Sequence, residues 1–216
     1  MSFRKEIIRT YLASLIPSIV LFGAVLVIGD EELFLLINLG MINPILDFIC
    51  VYVSPVAFCL FYVLALMSLI FSSRKSSRLT ATLSIINGAV SYLVGSTIKN
   101  FIQRPRPEIV VNGRVMYEAR LIGFWHSSPF SLPSTTAALA FGLTLPILIE
   151  KRSCGLLLTA LCYLISFSVV YTGFHFPLDI VAATFLSLAI TACISLAKNL
   201  LNPLLPSKKD SADNHM

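Results

Sequence analysis

The stretch LTATLSIINGAVSYLVGSTIKNFI, residues 79–102, decides the fold, because it is an apolar run long enough to cross a bilayer. A membrane-spanning helix needs about 20 predominantly apolar residues. The run continues directly into QRPRP, residues 103–107, which combines positive charge with helix-breaking proline. The sequence therefore predicts a spanning helix whose far end carries cationic side chains.

The composition of the whole chain fits an integral membrane protein. Its 216 residues are 56% hydrophobic and only 12% charged, whereas a soluble domain carries about 25% charged residues. So little charge does not fit an ordinary cytosolic enzyme, a secreted disulfide scaffold or a disordered chain. The net charge of +5 is explained by membrane topology, so we predict no nucleic-acid partner. The five cysteines lack metal-type spacing and are interpreted as core or lipid-facing residues.

The apolar runs predict an all-α integral membrane bundle of six helices, in a single domain over residues 1–205. Residues 206–216 are polar, and we predict a disordered tail there. The stretch Leu33–Val53 is interrupted by glycine, proline and aspartate, which favours an interfacial or re-entrant segment over a span. The predicted spans are Tyr11–Ile28, Val56–Phe71, Leu79–Ile102, Thr135–Ile149, Cys154–Thr172 and Leu178–Leu196.

The distribution of lysine and arginine predicts the orientation. Most basic residues lie at one set of helix ends and in the tail: Arg4, Lys5, Arg9, Arg74, Lys75, Arg78, Lys151, Arg152, Lys198, Lys208 and Lys209. The positive-inside rule places that set, with both termini, in the cytoplasm, which requires an even number of spans. The remaining basic residues lie at the opposite ends: Lys99, Arg104, Arg106, Arg114 and Arg120.

Polar residues suited to an anion gather at those opposite ends. Lys99 lies near the end of an apolar helix, where a bare charge is costly without a partner. Arg104 and Arg106 offer planar donors that match phosphate oxygens. Binding of lipid head groups alone is the simpler alternative for these cations.

The predicted start of the fourth spanning helix lies at the same depth. Ser131 is a plausible N-cap, and Pro133 is tolerated in a first turn. The free N–H groups of Ser134, Thr135 and Thr136 would then face the outer interface, as in anion sites at helix N-termini. Taken alone, this segment also fits an ordinary capped helix start.

A third segment on this face offers a nucleophile. His175 is followed four residues later by Asp179, at the start of the sixth spanning helix. This spacing lets the carboxylate reach one imidazole nitrogen and support an imidazolium, while the other nitrogen attacks phosphorus. Gly173 would let the backbone approach closely. The alternative for His175 alone is a structural histidine at the membrane boundary.

In order and spacing, these segments resemble the type 2 phosphatidic acid phosphatase superfamily of membrane phosphatases. Its bacterial members include undecaprenyl-pyrophosphate and phosphatidylglycerophosphate phosphatases. Its motif K-x6-R-P is matched from Lys99 to Pro107, P-S-G-H corresponds to PSTT at residues 133–136, and S-R-x5-H-x3-D corresponds to residues 168–179. The resemblance implies six helices with both termini inside.

The resemblance also implies roles for individual residues. His175 would be the nucleophile and Asp179 its orienting partner. Phosphate would be held by Lys99, Arg106 and Ser134, with help from Arg104, Thr135 and Thr136. The implied substrate is a membrane lipid, at the outer face of a bacterial inner membrane, and no metal or other cofactor is required.

Two positions depart from the family pattern. Thr136 occupies the place of the acid histidine, and Val169 the place of a phosphate-binding arginine. Loss of a general acid costs roughly 10² to 10⁴-fold, and it matters least when the leaving group is itself a phosphate. The sequence therefore favours a lipid diphosphate over a monoester. His126, in the outer loop, is a candidate substitute acid, and an interfacial histidine is its alternative reading.

Two other functions fit parts of the sequence. A catalytically silent protein of the same fold would bind phosphorylated lipid without hydrolysing it. A small transporter or channel is a weaker fit, since no inverted repeat is visible and few ionisable groups lie at mid-membrane.

Overall fold

A computed structural model of the chain describes residues 2–123 and 128–201. Within those ranges the regular structure is helical, apart from one isolated antiparallel bridge between Pro105 and Phe130. Nine helices follow in chain order within the described ranges, five of them with 20 residues or more and four shorter. They are α1 Ser2–Ile28, α2 Asp30–Asn38, α3 Pro44–Ile70, α4 Lys75–Ile102, α5 Pro107–Val110, α6 Glu118–Leu121, α7 Thr135–Glu150, α8 Arg152–Tyr171 and α9 Pro177–Leu201.

Four segments in the described part of the chain are long and apolar enough to cross a membrane. They are Pro44–Ile70, Lys75–Ile102, Arg152–Tyr171 and Pro177–Ala197. Two further helical segments, Leu15–Ile28 and Thr135–Glu150, are apolar but shorter. The all-helical prediction is confirmed, whereas the count of six spans stays a prediction.

The structure corrects the predicted boundary of the second span. Leu33–Val53 is not one interfacial segment, because α2 ends at Asn38 and α3 begins at Pro44. Asn43 caps α3 by accepting a hydrogen bond from the Ile45 N–H at 2.8 Å. The helix takes a wide π-helical turn over Ile49–Val53, just before Pro55. Proline has no N–H and so removes one hydrogen bond from a regular α-helix. The π-helical turn accommodates this missing hydrogen bond, so α3 continues through Pro55 instead of starting after it.

Helix α7 lies at the centre of the bundle, against α4, α8 and α9. Small residues allow these close approaches: a side chain at Gly142 would collide with Ser91 of α4, and one at Gly155 would collide with the Leu148 backbone. Polar side chains join the helices where they meet. Asn87 donates to the Gly142 carbonyl at 2.6 Å and to the Thr191 hydroxyl at 2.8 Å. Small and hydrogen-bonding residues commonly serve this purpose in membrane bundles.

The bundle has one end rich in basic residues and an opposite end that carries the candidate site residues. Helix α4 runs from the first end, the basic end, to the second, the site-bearing end. At one end, Ser76 and Ser77 near the start of α4 each donate to Glu150 at 3.1 Å, and Lys151 donates to Ser68 at 3.0 Å. At the other end, the described residues between α4 and α7, 103–123 and 128–134, fold back over the helix ends.

A cluster of polar contacts holds the loop around Arg114 against the site-bearing end. Arg114 pairs with both carboxylate oxygens of Asp47 in α3, at 2.8 and 3.2 Å. Asn38 donates to the carbonyls of Arg114 and Tyr171 at 2.8 and 2.7 Å. The loop also packs directly on Gly173, where an added side chain would meet the Arg114 carbonyl. Gly173 has a φ of 95°, and the prediction of a close backbone approach at this residue is confirmed.

Candidate active site

The centre of the candidate site is the pair His175 and Asp179. Pro177 begins α9, so Asp179 lies in the first turn of the helix and His175 just before it. The imidazole Nδ1 lies 3.3 Å from the Asp179 Oδ2, which also accepts the Phe176 N–H at 2.8 Å. The His175 residue is 3% exposed and Asp179 is fully buried. The four-residue spacing thus brings the carboxylate to one imidazole nitrogen, as the sequence predicts.

Arg106 lies on the other side of the imidazole. Its Nη1 lies 3.4 Å from Nε2 of His175 and donates to the Phe174 carbonyl at 2.8 Å, while its Nε donates to the Ser128 carbonyl at 2.9 Å. Burial lowers the pKa of the Arg106 guanidinium to about 10, so it still carries its charge at neutral pH. The two carbonyls hold this cation against the ring nitrogen that Asp179 does not contact.

Lys99 reaches the site from the last turn of α4. The side chain is 3% exposed, and its Nζ lies 3.5 Å from the Thr135 hydroxyl at the start of α7. A buried ammonium whose contact among the described residues is one weak hydroxyl interaction retains donors for an anion. Lys99 therefore supplies a second positive charge at the junction of α4 and α7.

The start of α7 differs from the prediction in two respects. Ser134 rather than Ser131 caps the helix, because its Oγ accepts the Ala137 N–H at 3.4 Å. The Ser134 N–H is not free, since it donates to the Asp179 carbonyl at 3.1 Å. The expected N-cap at Ser131 and the expected free amide of Ser134 are therefore wrong. The Thr135 and Thr136 amides occupy the first turn, where no intrahelical acceptor exists.

Ser131 has a different place in the structure. Its Oγ lies 3.1 Å from the Pro105 carbonyl and 3.5 Å from Oδ1 of Asp179, and its N–H donates to the Arg104 carbonyl at 2.8 Å. These contacts join the segments that follow α4 and precede α7 to the start of α9. The structure thus brings the three polar segments of the sequence together at one end of the bundle.

Arg104 contacts carboxylates rather than an open space. Its Nη1 lies 3.1 Å from Oδ1 of Asp179, and its Nη2 lies 2.5 Å from Oδ2 of Asp30. Asp30 was not among the residues predicted for the site. The available signal was its position directly after Gly29, at the end of an apolar run on the site-bearing side.

A further ion pair beside the site was also missed. Arg120 in α6 donates to Glu108 at 2.9 Å and lies over the ring of Phe174, 5.3 Å from its centroid. Glu108 follows Arg106 and Pro107 in the chain, so it lies one residue beyond the first motif.

The two departures from the family motifs have distinct surroundings. Thr136 is half-buried in the first turn of α7. Val169 is 1% exposed, and its carbonyl accepts the N–H groups of Phe174 and His175 at 3.0 and 3.1 Å. The Val169 backbone therefore holds the loop that carries His175, while its side chain packs in the core. His126, the candidate substitute acid, lies outside the described residues.

Metal ligands do not gather in the described ranges. No group of three or more histidine, cysteine, aspartate or glutamate side chains there is arranged to hold a metal ion. Lys99, Arg104 and Arg106 supply positive charge at the site.

A helical membrane bundle with a histidine–aspartate pair beside buried lysine and arginine has the features of a phosphate-handling membrane protein. The sequence model of the PAP2 superfamily matches residues 79–202, more than half of the chain. The chain therefore belongs to the PAP2 superfamily, and with its apolar helices it is an integral membrane protein. The suspected resemblance is confirmed.

One curated relative agrees with this assignment. Undecaprenyl-diphosphatase BcrC of Bacillus subtilis (strain 168) is 23% identical over 163 residues, which cover 76% of this chain and 80% of that protein.

Two solved structures share the fold. The crystal structure of Aquifex aeolicus LpxE has a TM-score of 0.52 at 24% identity, covering 78% of this chain and 94% of that one. The PAP2-type phosphatidylglycerolphosphate phosphatase of Bacillus subtilis has a TM-score of 0.58 at 18% identity, covering 89% and 97%.

Proposed function

We propose that this protein hydrolyses the terminal phosphate of a membrane lipid, with a polyprenyl diphosphate as the favoured substrate class. The observation that carries the proposal is the placement of His175 between the Asp179 carboxylate on Nδ1 and the Arg106 guanidinium beside Nε2. This arrangement gives the imidazole an orienting base on one side and a phosphate ligand on the other.

In the first step Nε2 of His175 attacks the terminal phosphorus. Asp179 accepts the Nδ1–H, which leaves the lone pair on Nε2. A P–N bond forms as the bond to the bridging oxygen breaks, and that oxygen leaves with the lipid as a lipid phosphate. Water then attacks phosphorus, the P–N bond breaks, and inorganic phosphate is released with His175 restored.

Lys99 and Arg106 neutralise the charge of the transferred phosphoryl group. Both are buried, where a preorganised cation stabilises developing charge more strongly than in water. The Ser134 hydroxyl and the first-turn amides of Thr135 and Thr136 add donors from the start of α7.

The missing acid supports a diphosphate as substrate. Thr136 cannot protonate an alkoxide leaving group, so the alkoxide of a phosphate monoester would leave poorly. A lipid diphosphate departs as a phosphate and needs little protonation. The relative BcrC is named for undecaprenyl diphosphate, which is a substrate of this class.

The proposed topology has six spans, α1, α3, α4, α7, α8 and α9, in a single domain over residues 1–205 with a tail at 206–216. Both termini would lie in the cytoplasm, and the site would face the exterior or periplasm of a bacterial inner membrane. The basic residues at the opposite end from His175 support this orientation.

Thiol labelling tests the orientation. Asn112 and Ser73 are exposed in loops at opposite ends of the bundle, so each can be replaced by cysteine in a chain without its native cysteines. A membrane-impermeant reagent should label Asn112→Cys in intact cells and Ser73→Cys only after permeabilisation. The reverse pattern would contradict the proposed orientation.

Phosphate release by the purified protein tests the activity. Wild type should release phosphate from undecaprenyl diphosphate faster than from phosphatidic acid, and His175→Ala should abolish release from both. His215→Ala, which changes a histidine in the predicted tail, serves as the matched control. Equal turnover of the two lipids would contradict the diphosphate preference.

A second candidate function is a catalytically silent protein that binds phosphorylated lipid. Thr136 and Val169, at the motif positions of the acid and the arginine, favour it. This candidate predicts saturable binding of undecaprenyl diphosphate that depends on Lys99 and Arg106, with no phosphate release by wild type.

A further inference from the structure

Asp30, Arg104 and Asp179 form a continuous chain of ion pairs that ends at His175. Arg104 spans the two carboxylates, with 2.5 Å to Asp30 and 3.1 Å to Oδ1 of Asp179. The other oxygen of Asp179 faces the His175 imidazole. We infer that Asp30 and Arg104 are a positioning pair, which holds the Asp179 carboxylate so that it presents His175 for attack. The inference rests on the proposed role of His175.

Both terminal nitrogens of the Arg104 guanidinium are engaged by these contacts. Each terminal nitrogen faces a carboxylate, and its plane lies over the Phe176 ring at 4.2 Å from the centroid. A phosphate bound to Arg104 would have to share it with two negative charges. The contacts therefore fit a residue that acts through Asp179 better than a phosphate ligand, which was the role expected from the sequence.

Asp179 needs such a partner because its side chain is completely buried. A buried carboxylate without a paired cation is strongly unfavourable and takes up a proton instead. A neutral Asp179 would no longer support positive charge on the imidazole. Arginine suits this task because its planar fork holds two carboxylates at defined angles, which an ammonium group cannot do.

Asp30 is itself held to the helix that carries Asp179. Its Oδ1 accepts the Leu178 N–H at 2.8 Å, in the first turn of α9, while its Oδ2 faces Arg104. Asp30 is the first residue of α2, a helix too short to span the membrane. The contacts give α2 a function, which is to hold Arg104 and the start of α9 in register.

Three variants test the inference by kinetics. Arg104→Gln should lower kcat by about 10 to 100-fold with KM nearly unchanged, as is typical when a residue behind a reacting group is lost. Arg104→Lys should recover only part of the loss. Asp30→Asn retains an acceptor for Leu178, so it should lower kcat less, and it should add nothing further in the Arg104→Gln background.

The tautomer of His175 gives a readout that does not need turnover. The chain has three histidines, so ¹⁵N-labelled imidazole signals can be assigned with His126→Gln and His215→Gln. Wild type should hold His175 in the Nδ1–H form, and Arg104→Gln should give a mixture of tautomers. Arg114→Gln is the control, since it breaks the pair with Asp47 on the same end of the bundle without touching Asp179.

The outcomes separate the possibilities. An unchanged tautomer in Arg104→Gln would overturn the inference. So would a rise of more than about tenfold in KM and in the inhibition constant of inorganic phosphate at unchanged kcat, because this is the signature of a lost phosphate contact. If wild type releases no phosphate, the proposed function fails, and the tautomer comparison still decides whether Arg104 positions Asp179 and His175.

Discussion

Nδ1 of His175 lies 3.3 Å from Oδ2 of Asp179, four residues further along the chain and in the first turn of the helix that follows. Both side chains are at most 4% exposed. A carboxylate in this place selects the imidazole tautomer whose lone pair lies on Nε2, the nitrogen beside Arg106. The geometry makes the chemistry of His175 depend on Asp179.

Replacement of Asp179 by asparagine should lower the rate of phosphate release by roughly 10² to 10⁴-fold. The amide keeps the size of the side chain but no longer supports an imidazolium, and it can bind the wrong tautomer. Asp47→Asn is the matched control, because that carboxylate pairs with Arg114 and does not contact His175. Similar losses in both variants would show that Asp179 acts only on the fold.

A histidine introduced at position 136 should restore the missing acid. Thr136 is half-buried in the first turn of α7, next to Thr135, which contacts Lys99. Thr136→His should raise turnover of phosphatidic acid, whose alkoxide leaving group needs a proton, much more than turnover of undecaprenyl diphosphate. Thr136→Gln controls for side-chain size. An equal gain on both lipids would argue against leaving-group protonation as the limiting deficit.

Phosphate release should persist in excess EDTA. Arg106 lies beside His175 and Lys99 is buried at the junction of α4 and α7, so the protein's own cations neutralise the transferred phosphoryl group. The measurement is the rate of release by chelator-treated protein, with and without added Mg²⁺. Activity that disappears in EDTA and returns with Mg²⁺ would require a different account of phosphate binding.

Close packing between α7 and α8 should make Gly155 sensitive to substitution. A side chain there would meet the Leu148 backbone, whereas one added at Gly23 would have no atom of the described residues within 4 Å. Gly155→Ala should cost about 1–3 kcal/mol of stability through overpacking, seen as a lower melting temperature in detergent. Gly23→Ala should be neutral or stabilising by up to about 1 kcal/mol. Equal melting temperatures for the two variants would contradict the packing.

Much of the architecture was readable from the apolar runs, because a helix in lipid must satisfy its own backbone and needs a minimum length. The boundary of the second span was not. The second span was predicted to begin at Val56, but the preceding π-helical turn lets α3 run through Pro55 from Pro44. A local widening of the backbone leaves no clear signal in hydropathy.

Contacts within the site were predictable where the spacing of two residues along the chain determines how close their side chains lie. The four-residue spacing from His175 to Asp179 implies contact across one helical turn. The role of Asp30 was not predictable in this way, since its contact with Arg104 joins residues 74 positions apart. The cap at Ser134 rather than Ser131 depends on a backbone turn that composition does not reveal.

The central claim, covalent catalysis by His175, is tested most directly by trapping the intermediate. Wild-type protein is mixed with undecaprenyl diphosphate labelled in its terminal phosphate, quenched in alkali within milliseconds, and mapped by mass spectrometry. Covalent catalysis predicts label on His175 that forms before phosphate is released, and no label or release in His175→Ala. Phosphate release by wild type without labelled His175, or sustained release by His175→Ala, would contradict it.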